Sequence, residues 1–175
     1  MSKETKNFLL CILTTIILVI FDQFTKYLAV LKLSDGPVPI LPGVLSFTLL
    51  QGGNRGAAFG MLQGGFWIFM VITLIITVLL LVLLKRIPAE KKYMPLNITF
   101  SFILAGAIGN CIDRVISKIT TGISSVTDFI YIDLINFPIF NVADICVTIG
   151  AVLLIILILF VYKDEDFGLI LKKNE

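Results

Sequence analysis

The chain has 175 residues, of which 58% are hydrophobic and only 15% are charged, and its mean hydropathy is +1.02. Soluble domains carry about a quarter of charged residues, so this composition excludes an ordinary water-soluble protein and predicts a membrane protein. The net charge of +2 is too small to indicate a nucleic-acid partner. The lack of histidine in the sequence excludes Ser-His-Asp and Cys-His catalysis and every histidine-containing metal site.

Four apolar segments are long enough to cross a bilayer, which takes about 20 mostly apolar residues. They predict helices over about 8–30, 66–84, 94–114 and 141–162. The prediction is therefore an all-α membrane protein with four transmembrane helices, forming a single integral membrane domain over 1–175. The loops 31–65 and 115–140 then lie on one side of the membrane.

Nine of the 14 Lys and Arg residues fall on the opposite side of this topology. They are Lys3, Lys6, Lys85, Arg86, Lys91, Lys92, Lys163, Lys172 and Lys173. Because cytoplasmic loops are enriched in Lys and Arg, both termini are predicted to be cytoplasmic and the loops 31–65 and 115–140 to be outside. We interpret the acidic cluster at 164–166 as a solvated part of the C-terminal tail.

The outer loops are predicted to contain short strands. Residues 45–49 alternate apolar and polar side chains, as a half-buried strand does, and 126–132 is rich in β-branched and aromatic residues. The Gly/Pro-rich stretch 36–43 must turn or extend. We therefore expect a small extracytoplasmic sheet against the outer membrane surface.

Ionisable and polar residues at membrane depth are costly and are functional candidates. With a rise of 1.5 Å per residue, Asp22 lies roughly 22 Å into the first helix, near the outer interface. The other candidates fall at outer helix ends or in the outer loops: Asn54, Asn110, Asp113, Arg114, Asp128, Asn141 and Asp144. Asp22 and Lys26 are one helical turn apart and can pair. All these groups are expected to meet at one level.

Asp128 and Asp144 have no cation beside them in the sequence, which suggests acid/base chemistry. Two close carboxylates share a proton because both cannot ionise side by side. The ionised acid can then activate a water while the protonated one donates to a scissile carbonyl. Such chemistry needs neither a metal nor a cofactor, and we expect neither.

Other interpretations stay open at this point. The polar residues could be interhelical ties that only fix the bundle, or the chain could be a small polytopic transporter or proton relay. A Ser-Lys protease would combine Lys26 with Ser46, Ser101 or Ser117. The cysteines Cys11, Cys111 and Cys146 lie in apolar segments without a C-x-x-C pair, and we expect all three to be packed and buried.

Five stretches of the sequence resemble the lipoprotein signal peptidases, also called signal peptidase II. They are FDQFTK at 21–26, NRGAAFG at 54–60, AGAIGNCIDR at 105–114, VTDF at 126–129 and FPIFNVADICVTIG at 137–150. They occur in the family's order, and the resemblance runs from about residue 9 to 162. Two features depart from the family pattern, namely Gly52-Gly53 before Asn54 and Cys111 where Leu is usual.

The resemblance implies an intramembrane aspartic endopeptidase of the bacterial cytoplasmic membrane with Asp128 and Asp144 as its catalytic dyad. It implies supporting or binding roles for Asp22, Lys26, Asn54, Gly56, Asn110, Asp113, Arg114 and Asn141. The implied partners are diacylglyceryl-modified prolipoproteins, cut just before the lipidated cysteine, together with membrane lipids and the inhibitor globomycin. Residues matching Asn54 and Arg114 line the family's substrate or inhibitor site, and the first outer loop looks like the family's β-cradle. Gly56 and Gly60 are expected to let this loop approach the substrate closely.

Overall fold

The structure is a computed structural model that describes residues 1–56 and 65–171. Its helices are α1 (Lys3–Lys32), α2 (Phe66–Arg86), α3 (Met94–Thr121), α4 (Val142–Ile156, continued by a π-helical turn Leu157–Val161) and α5 (Asp164–Leu171). Its strands are β1 (Val38–Leu41), β2 (Leu45–Phe47) and β3 (Ile130–Tyr131). Gly60, which was expected to help the first loop approach a substrate, lies outside the described residues.

Four helices of the described chain are long and apolar enough to cross a membrane: Lys3–Lys32, Phe66–Arg86, Lys91–Thr121 and Val142–Val161. Large apolar side chains such as Leu10, Trp67 and Phe160 point away from the bundle. Lipid can cover this apolar surface, whereas water would not. The predicted fold of four membrane helices with a small sheet is confirmed.

The third helix is longer than the sequence predicted. It was expected to end near 114 but continues to Thr121, and it stops at Gly122, whose φ of 75° is the left-handed conformation that glycine adopts freely. The first helix likewise begins earlier than predicted, at Lys3, where the Ser2 side chain accepts a hydrogen bond from the backbone N–H of Thr5. The capping residues Gly122 and Ser2 determine where these two helices end and begin, and the length of an apolar segment does not predict these positions.

Helix α3 lies at the centre of the bundle and contacts α1, α2 and α4. Half of its apolar stretch is buried, against less than a fifth for each of the other three spans. A Cβ atom on Gly106 would lie 2.3 Å from the carbonyl oxygen of Ala143 in α4, so glycine is needed for this close approach. Of the cysteines, Cys11 and Cys146 are buried as expected, but Cys111 is only half-buried, with its Sγ 3.7 Å from the Sδ of Met70.

The three strands form one antiparallel sheet in the order β1-β2-β3. The two predicted strand regions supply β2 and β3, and the Gly/Pro-rich stretch supplies β1. The rings of Phe47 and Phe129 meet edge to face with centroids 5.9 Å apart, and both pack with Ala29 and Leu33. The sheet is therefore fixed against the C-terminal end of α1.

The expectation of a solvated acidic tail is wrong for Asp166. Its side chain is buried and accepts hydrogen bonds from Lys92 Nζ at 2.5 Å, the Tyr93 hydroxyl at 2.7 Å and the Lys163 N–H at 3.0 Å. These bonds, that from Lys92 foremost, lower the pKa of Asp166 to about 2. Lys92 and Tyr93 are distant in sequence, so local sequence could not indicate this contact. The neighbouring Asp164 is exposed, as expected.

Candidate active site

The backbone around Asp128 is held by the first loop. The N–H of Leu50 donates to the carbonyl of Asp128 at 3.0 Å, and Asn54 and Val126 exchange two backbone hydrogen bonds of 2.8 and 2.9 Å. The turn just before Asn54 uses glycine at 52 and 53 with φ of 77° and 66°, which accounts for the departure noted in the sequence. The Asp128 side chain is consequently presented to the helices from a fixed position, with 1% of its surface exposed.

Both oxygens of the Asp128 carboxyl accept side-chain amide hydrogen bonds. Asn54 Nδ2 donates to Oδ2 at 2.9 Å and Asn141 Nδ2 donates to Oδ1 at 2.6 Å. Burial, and next the charge of Asp144, raise the pKa of Asp128 to about 6, against the opposing effect of the two amides and Lys26. A carboxyl with such a pKa can hold or release a proton near neutral pH.

Asp144 lies in the first turn of α4, where it takes part in the cap of its own helix. The side chain of Asn141 accepts from the Asp144 N–H at 3.0 Å, and the Asp144 Oδ2 accepts from the Asn141 N–H at 3.1 Å. This reciprocal pair is a capping box. The remaining oxygen, Oδ1, accepts from Asn110 Nδ2 at 2.8 Å. The helix N-terminus therefore sets the direction of the Asp144 carboxyl.

A single side chain, that of Asn141, links the two acids. Its Nδ2 reaches both Asp128 Oδ1 and Asn110 Oδ1, the latter at 3.1 Å, and its Oδ1 caps Asp144. It is fully buried. Neither acid forms an ion pair within the described part of the chain. The two carboxyls are therefore held by amides and not neutralised by a cation.

The predicted pair of Asp22 and Lys26 is present, with Nζ 2.8 Å from Asp22 Oδ2. Lys26 also lies 3.2 Å from Asp113 Oδ2 and donates to Asn110 Oδ1 at 3.1 Å. We call Asp22, Lys26 and Asp113 the Lys26 cluster. Its two acids also accept hydrogen bonds from backbone N–H groups, Asp22 from Ala143 at 2.8 Å and Asp113 from Thr127 at 2.9 Å. The Lys26 cluster therefore ties α1 and α3 to both segments that carry the paired acids.

Gln23 belongs to this cluster although the sequence analysis did not assign it a role. Its Nε2 lies within hydrogen-bond distance of Asp22 Oδ2, Asp113 Oδ1 and the carbonyl of Gly109, at 3.1, 2.9 and 3.1 Å. An uncharged amide beside Asp22 does not stand out by charge, and only its position within the FDQFTK stretch could have indicated it. Gly109 leaves room for Asp22, since a Cβ there would lie 2.6 Å from Asp22 Oδ2.

Arg114 closes the other side of the site. Its Nη2 donates to the carbonyl of Gly56 at 2.6 Å, its guanidinium lies 3.9 Å from the centroid of the Phe69 ring, and Gly56 in turn donates its N–H to Asn54 Oδ1 at 3.0 Å. Arg114 is 7% exposed, and its Nη1 is buried without a hydrogen-bond partner among the described residues. A buried, unpaired guanidinium nitrogen can donate to a substrate carbonyl.

The structure joins all ten predicted site residues in one continuous hydrogen-bond network. The path runs along Asp22, Lys26, Asn110, Asn141, Asp128, Asn54, Gly56 and Arg114, with Asp113 bonded to Lys26 and Asp144 to Asn110. It lies where α1 and α3 end and α4 begins, beside the sheet. Its acids are thus concentrated at one end of the bundle, unlike those of a relay that crosses the membrane.

The serine alternatives receive no support from the geometry. Ser46 bonds with Thr48, Ser101 with the carbonyls of Asn97 and Cys11, and Ser117 with the backbone of Arg114 and Ser125. In the described ranges none of these serines bonds with Lys26, whose ammonium is taken up by Asp22, Asp113 and Asn110. Within the same ranges no group of three acidic or cysteine side chains could hold a metal ion.

Four membrane helices with two aspartates held by side-chain amides at one end are the features of a membrane-embedded aspartic protease. A family model described as Signal peptidase (SPase) II matches residues 14–160. The chain therefore belongs to the signal peptidase II family, whose members are proteases that process lipoproteins, and the transporter alternative is not favoured.

Similar proteins agree over nearly the whole length. The lipoprotein signal peptidase of Geobacillus kaustophilus is 40% identical over 150 residues, which cover 84% of this chain and 91% of that protein. That of Streptococcus pyogenes serotype M5 is 38% identical over 91% of this chain and 97% of its own length. A solved structure described as a bacterial membrane enzyme superposes with a TM-score of 0.71 at 33% identity, covering 94% of this chain and 92% of the other.

Proposed function

We propose that Asp128 and Asp144 are the catalytic dyad of this peptidase and that it cuts prolipoproteins before their diacylglyceryl-modified cysteine. The observation that carries the proposal is the Asn141 amide, which bonds to Asp128 and caps Asp144. Because this amide is buried and shared, the two acids are held at the same end of the bundle, and neither forms an ion pair within the described residues. This is the environment in which two acids share one proton.

The proposed reaction follows from one shared proton. The ionised acid takes a proton from a water, whose oxygen attacks the scissile carbonyl carbon, while the protonated acid gives its proton to the carbonyl oxygen. The tetrahedral intermediate then collapses and its C–N bond breaks. The acid that took the proton from the water gives it to the leaving nitrogen, and the other acid regains a proton from a hydroxyl of the intermediate. The dyad ends in its starting state.

The other network residues supply position and binding. Asn54, Asn110 and Asn141 fix the two carboxyls, and the Lys26 cluster with Asp22 and Asp113 fixes the backbone on either side of them. Arg114 has a nitrogen, Nη1, that is unpaired among the described residues and can donate to a peptide carbonyl, and its Nη2 holds Gly56 in place. Globomycin would compete with the substrate for these groups.

A lipid-bearing substrate stays in the bilayer, and the bundle offers an apolar place beside the site. Between α2 and α3 lies a groove of about 520 Å³ lined by residues that include Met70, Thr73, Ile108 and Cys111. Each buried CH₂ of an acyl chain contributes roughly 0.8 kcal/mol, so the chains can dominate substrate retention. Cleavage should therefore depend on the lipid of the substrate.

The cleavage test uses the purified protein in lipid with a diacylated precursor and the same precursor without lipid. We expect kcat/KM to be much higher for the lipidated form and globomycin to inhibit it. Asp128→Asn and Asp144→Asn should each abolish turnover in a protein that stays folded, and Asp35→Asn, an exposed aspartate, is the matched control. Near wild-type turnover by either dyad variant would contradict the dyad, and equal rates on both precursors would contradict the lipid requirement.

We also propose that both termini are cytoplasmic and that the site faces the outer side. The support is the Lys and Arg distribution, because the network lies at the end of the bundle opposite the cation-rich loop 87–93. Single cysteines at positions 35 and 91, in a background without the native cysteines, should react with an impermeant reagent on intact cells only at 35. Labelling of position 91 under those conditions would reverse the topology.

A further inference from the structure

The orientation of the Asn110 side chain is dictated by its neighbours. Its Oδ1 lies 3.1 Å from Lys26 Nζ and 3.1 Å from Asn141 Nδ2, and its Nδ2 lies 2.8 Å from Asp144 Oδ1. An ammonium has only donors and an ionised carboxylate has only acceptors. A flipped Asn110 would set N–H against the ammonium and C=O against the carboxylate, so Lys26 selects the rotamer that donates to Asp144.

The Asn141 amide is oriented in the same way. Its Oδ1 accepts from the backbone N–H of Asp144, which cannot act as an acceptor. The Asn141 Nδ2 must therefore point toward Asp128 and Asn110. The amides of Asn110 and Asn141 are thus each held in one orientation by groups that can only donate.

The two acids consequently sit in unequal surroundings. Asp144 receives a backbone N–H at the N-terminus of α4, where the helix dipole favours negative charge, and the oriented amide of Asn110. Asp128 lies in a loop, and among the described residues its carboxyl receives only the side-chain amides of Asn54 and Asn141. Negative charge is therefore better accommodated at Asp144 than at Asp128.

The charged groups around the dyad do not by themselves explain this difference. They are Asp22 and Lys26 from α1 and Asp113 and Arg114 from α3, while α2 contributes the uncharged Phe69 near the site. One lysine between two carboxylates leaves the Lys26 cluster with net negative charge. Asp22 and Asp113 offset part of the charge effect of Lys26, and the contact by which Lys26 distinguishes the two acids is its hydrogen bond to Asn110.

We infer that Asp144 is the ionised acid that activates the water, that Asp128 is the acid that carries the proton, and that Lys26 is a positioning residue that sets these roles through Asn110. The inference rests on the proposed dyad and goes beyond it by assigning its two roles. Burial raises the pKa of Asp128 to about 6, so this carboxyl can carry a proton near neutral pH.

The roles of Asp144 and Asp128 can be distinguished by measuring how kcat/KM for a diacylated precursor depends on pH. The wild-type profile should be bell-shaped, rising as Asp144 ionises and falling as Asp128 loses its proton. Asn110→Ala removes a donor from the Asp144 carboxylate, so its rising limb should move up by about one pH unit. Asn54→Ala removes a donor from Asp128, so its falling limb should move up by a similar amount while the rising limb stays.

The role of Lys26 is tested by a double-mutant comparison. If Lys26 acts through Asn110, adding Lys26→Met to Asn110→Ala should shift the rising limb no further. Lys26→Met alone leaves two carboxylates without their cation, so Lys26→Met is combined with Asp113→Asn, which keeps the net charge of the wild-type cluster, and this double variant is compared with the wild type. That pair should show the shift seen in Asn110→Ala. Lys32→Met, an exposed lysine of α1, should match the wild type.

The outcomes separate this inference from the proposed function. A wild type that cleaves with a bell-shaped profile, but in which Asn110→Ala moves the falling limb and Asn54→Ala the rising one, would exchange the two roles and overturn the inference alone. If the shifts of the rising limb caused by Lys26→Met and Asn110→Ala were additive, Lys26 would not act through Asn110, and that part of the inference would be overturned. A wild type without cleavage of the diacylated precursor would instead contradict the proposed function.

Discussion

A methyl group at position 106 would show how closely the packing of α3 on α4 sets the geometry of the dyad. A Cβ on Gly106 would lie 2.3 Å from the carbonyl oxygen of Ala143 and 2.5 Å from Cγ2 of Val147, whereas ordinary contact begins at 3.4 Å. The Ala143 oxygen is helix backbone and cannot rotate away. Since the interior is closely packed, Gly106→Ala must displace α4 by about 1 Å.

The displacement should affect stability little and activity strongly. Overpacking costs about 1–3 kcal/mol, and the better helix propensity of alanine returns about 1 kcal/mol, so the net loss should be at most about 2 kcal/mol. The start of α4 carries Asn141 and Asp144, and a misplacement of about 1 Å in a catalytic site can lower the rate about 100-fold. We therefore expect kcat to fall by about that factor in a protein that remains folded.

Gly150→Ala is the matched control for this prediction. It lies on the same pair of helices but farther from the dyad, and its Cβ would meet Ile103 Cγ1 at 2.5 Å and the Thr99 carbonyl at 3.1 Å. It should lose comparable stability and keep most of its activity. Thermal unfolding and single-turnover cleavage of the diacylated precursor are measured on both variants. Wild-type kcat for Gly106→Ala, or an equal loss for Gly150→Ala, would refute the reasoning.

Substitutions at three further positions have distinct expected outcomes. Arg114→Lys keeps the charge but loses the planar group that reaches Gly56, so kcat/KM should fall at least tenfold; full activity with unchanged thermal stability would contradict this. Gln23→Leu removes a shared donor from two buried acids and should lower the unfolding temperature, whereas Gln23→Glu should be worse because it adds a third carboxylate. Asp166→Asn should lower thermal stability without changing kcat. Because the folded pKa of Asp166 is lowered to about 2, its contribution is complete above the unfolded value of about 4 and is lost as pH falls through about 2, so wild type and variant should converge in acid. A gap that is as large at pH 2 as at neutral pH would contradict that account.

The sequence alone determined the membrane class, the four spans and the candidates for the site. A span needs a long apolar segment whatever its neighbours are, so composition is sufficient to find it. Ionisable residues such as Asp22 and Asp144 stand out because the bilayer makes them costly. The family motifs added the predicted roles of Asp128 and its partners, and the structure brings these residues together in one network.

Tertiary structure decided what depends on partners distant in sequence. The prediction for Asp166 was wrong because its partners Lys92 and Tyr93 lie between α2 and α3, 74 and 73 residues away in the sequence. Gln23 was missed because an amide gains importance only from the acids that it contacts. The inequality of Asp128 and Asp144 has the same origin. It depends on which atoms of two amides face which carboxyl, and side-chain orientation is set by the packing of α1, α3 and α4 together, which no local pattern contains.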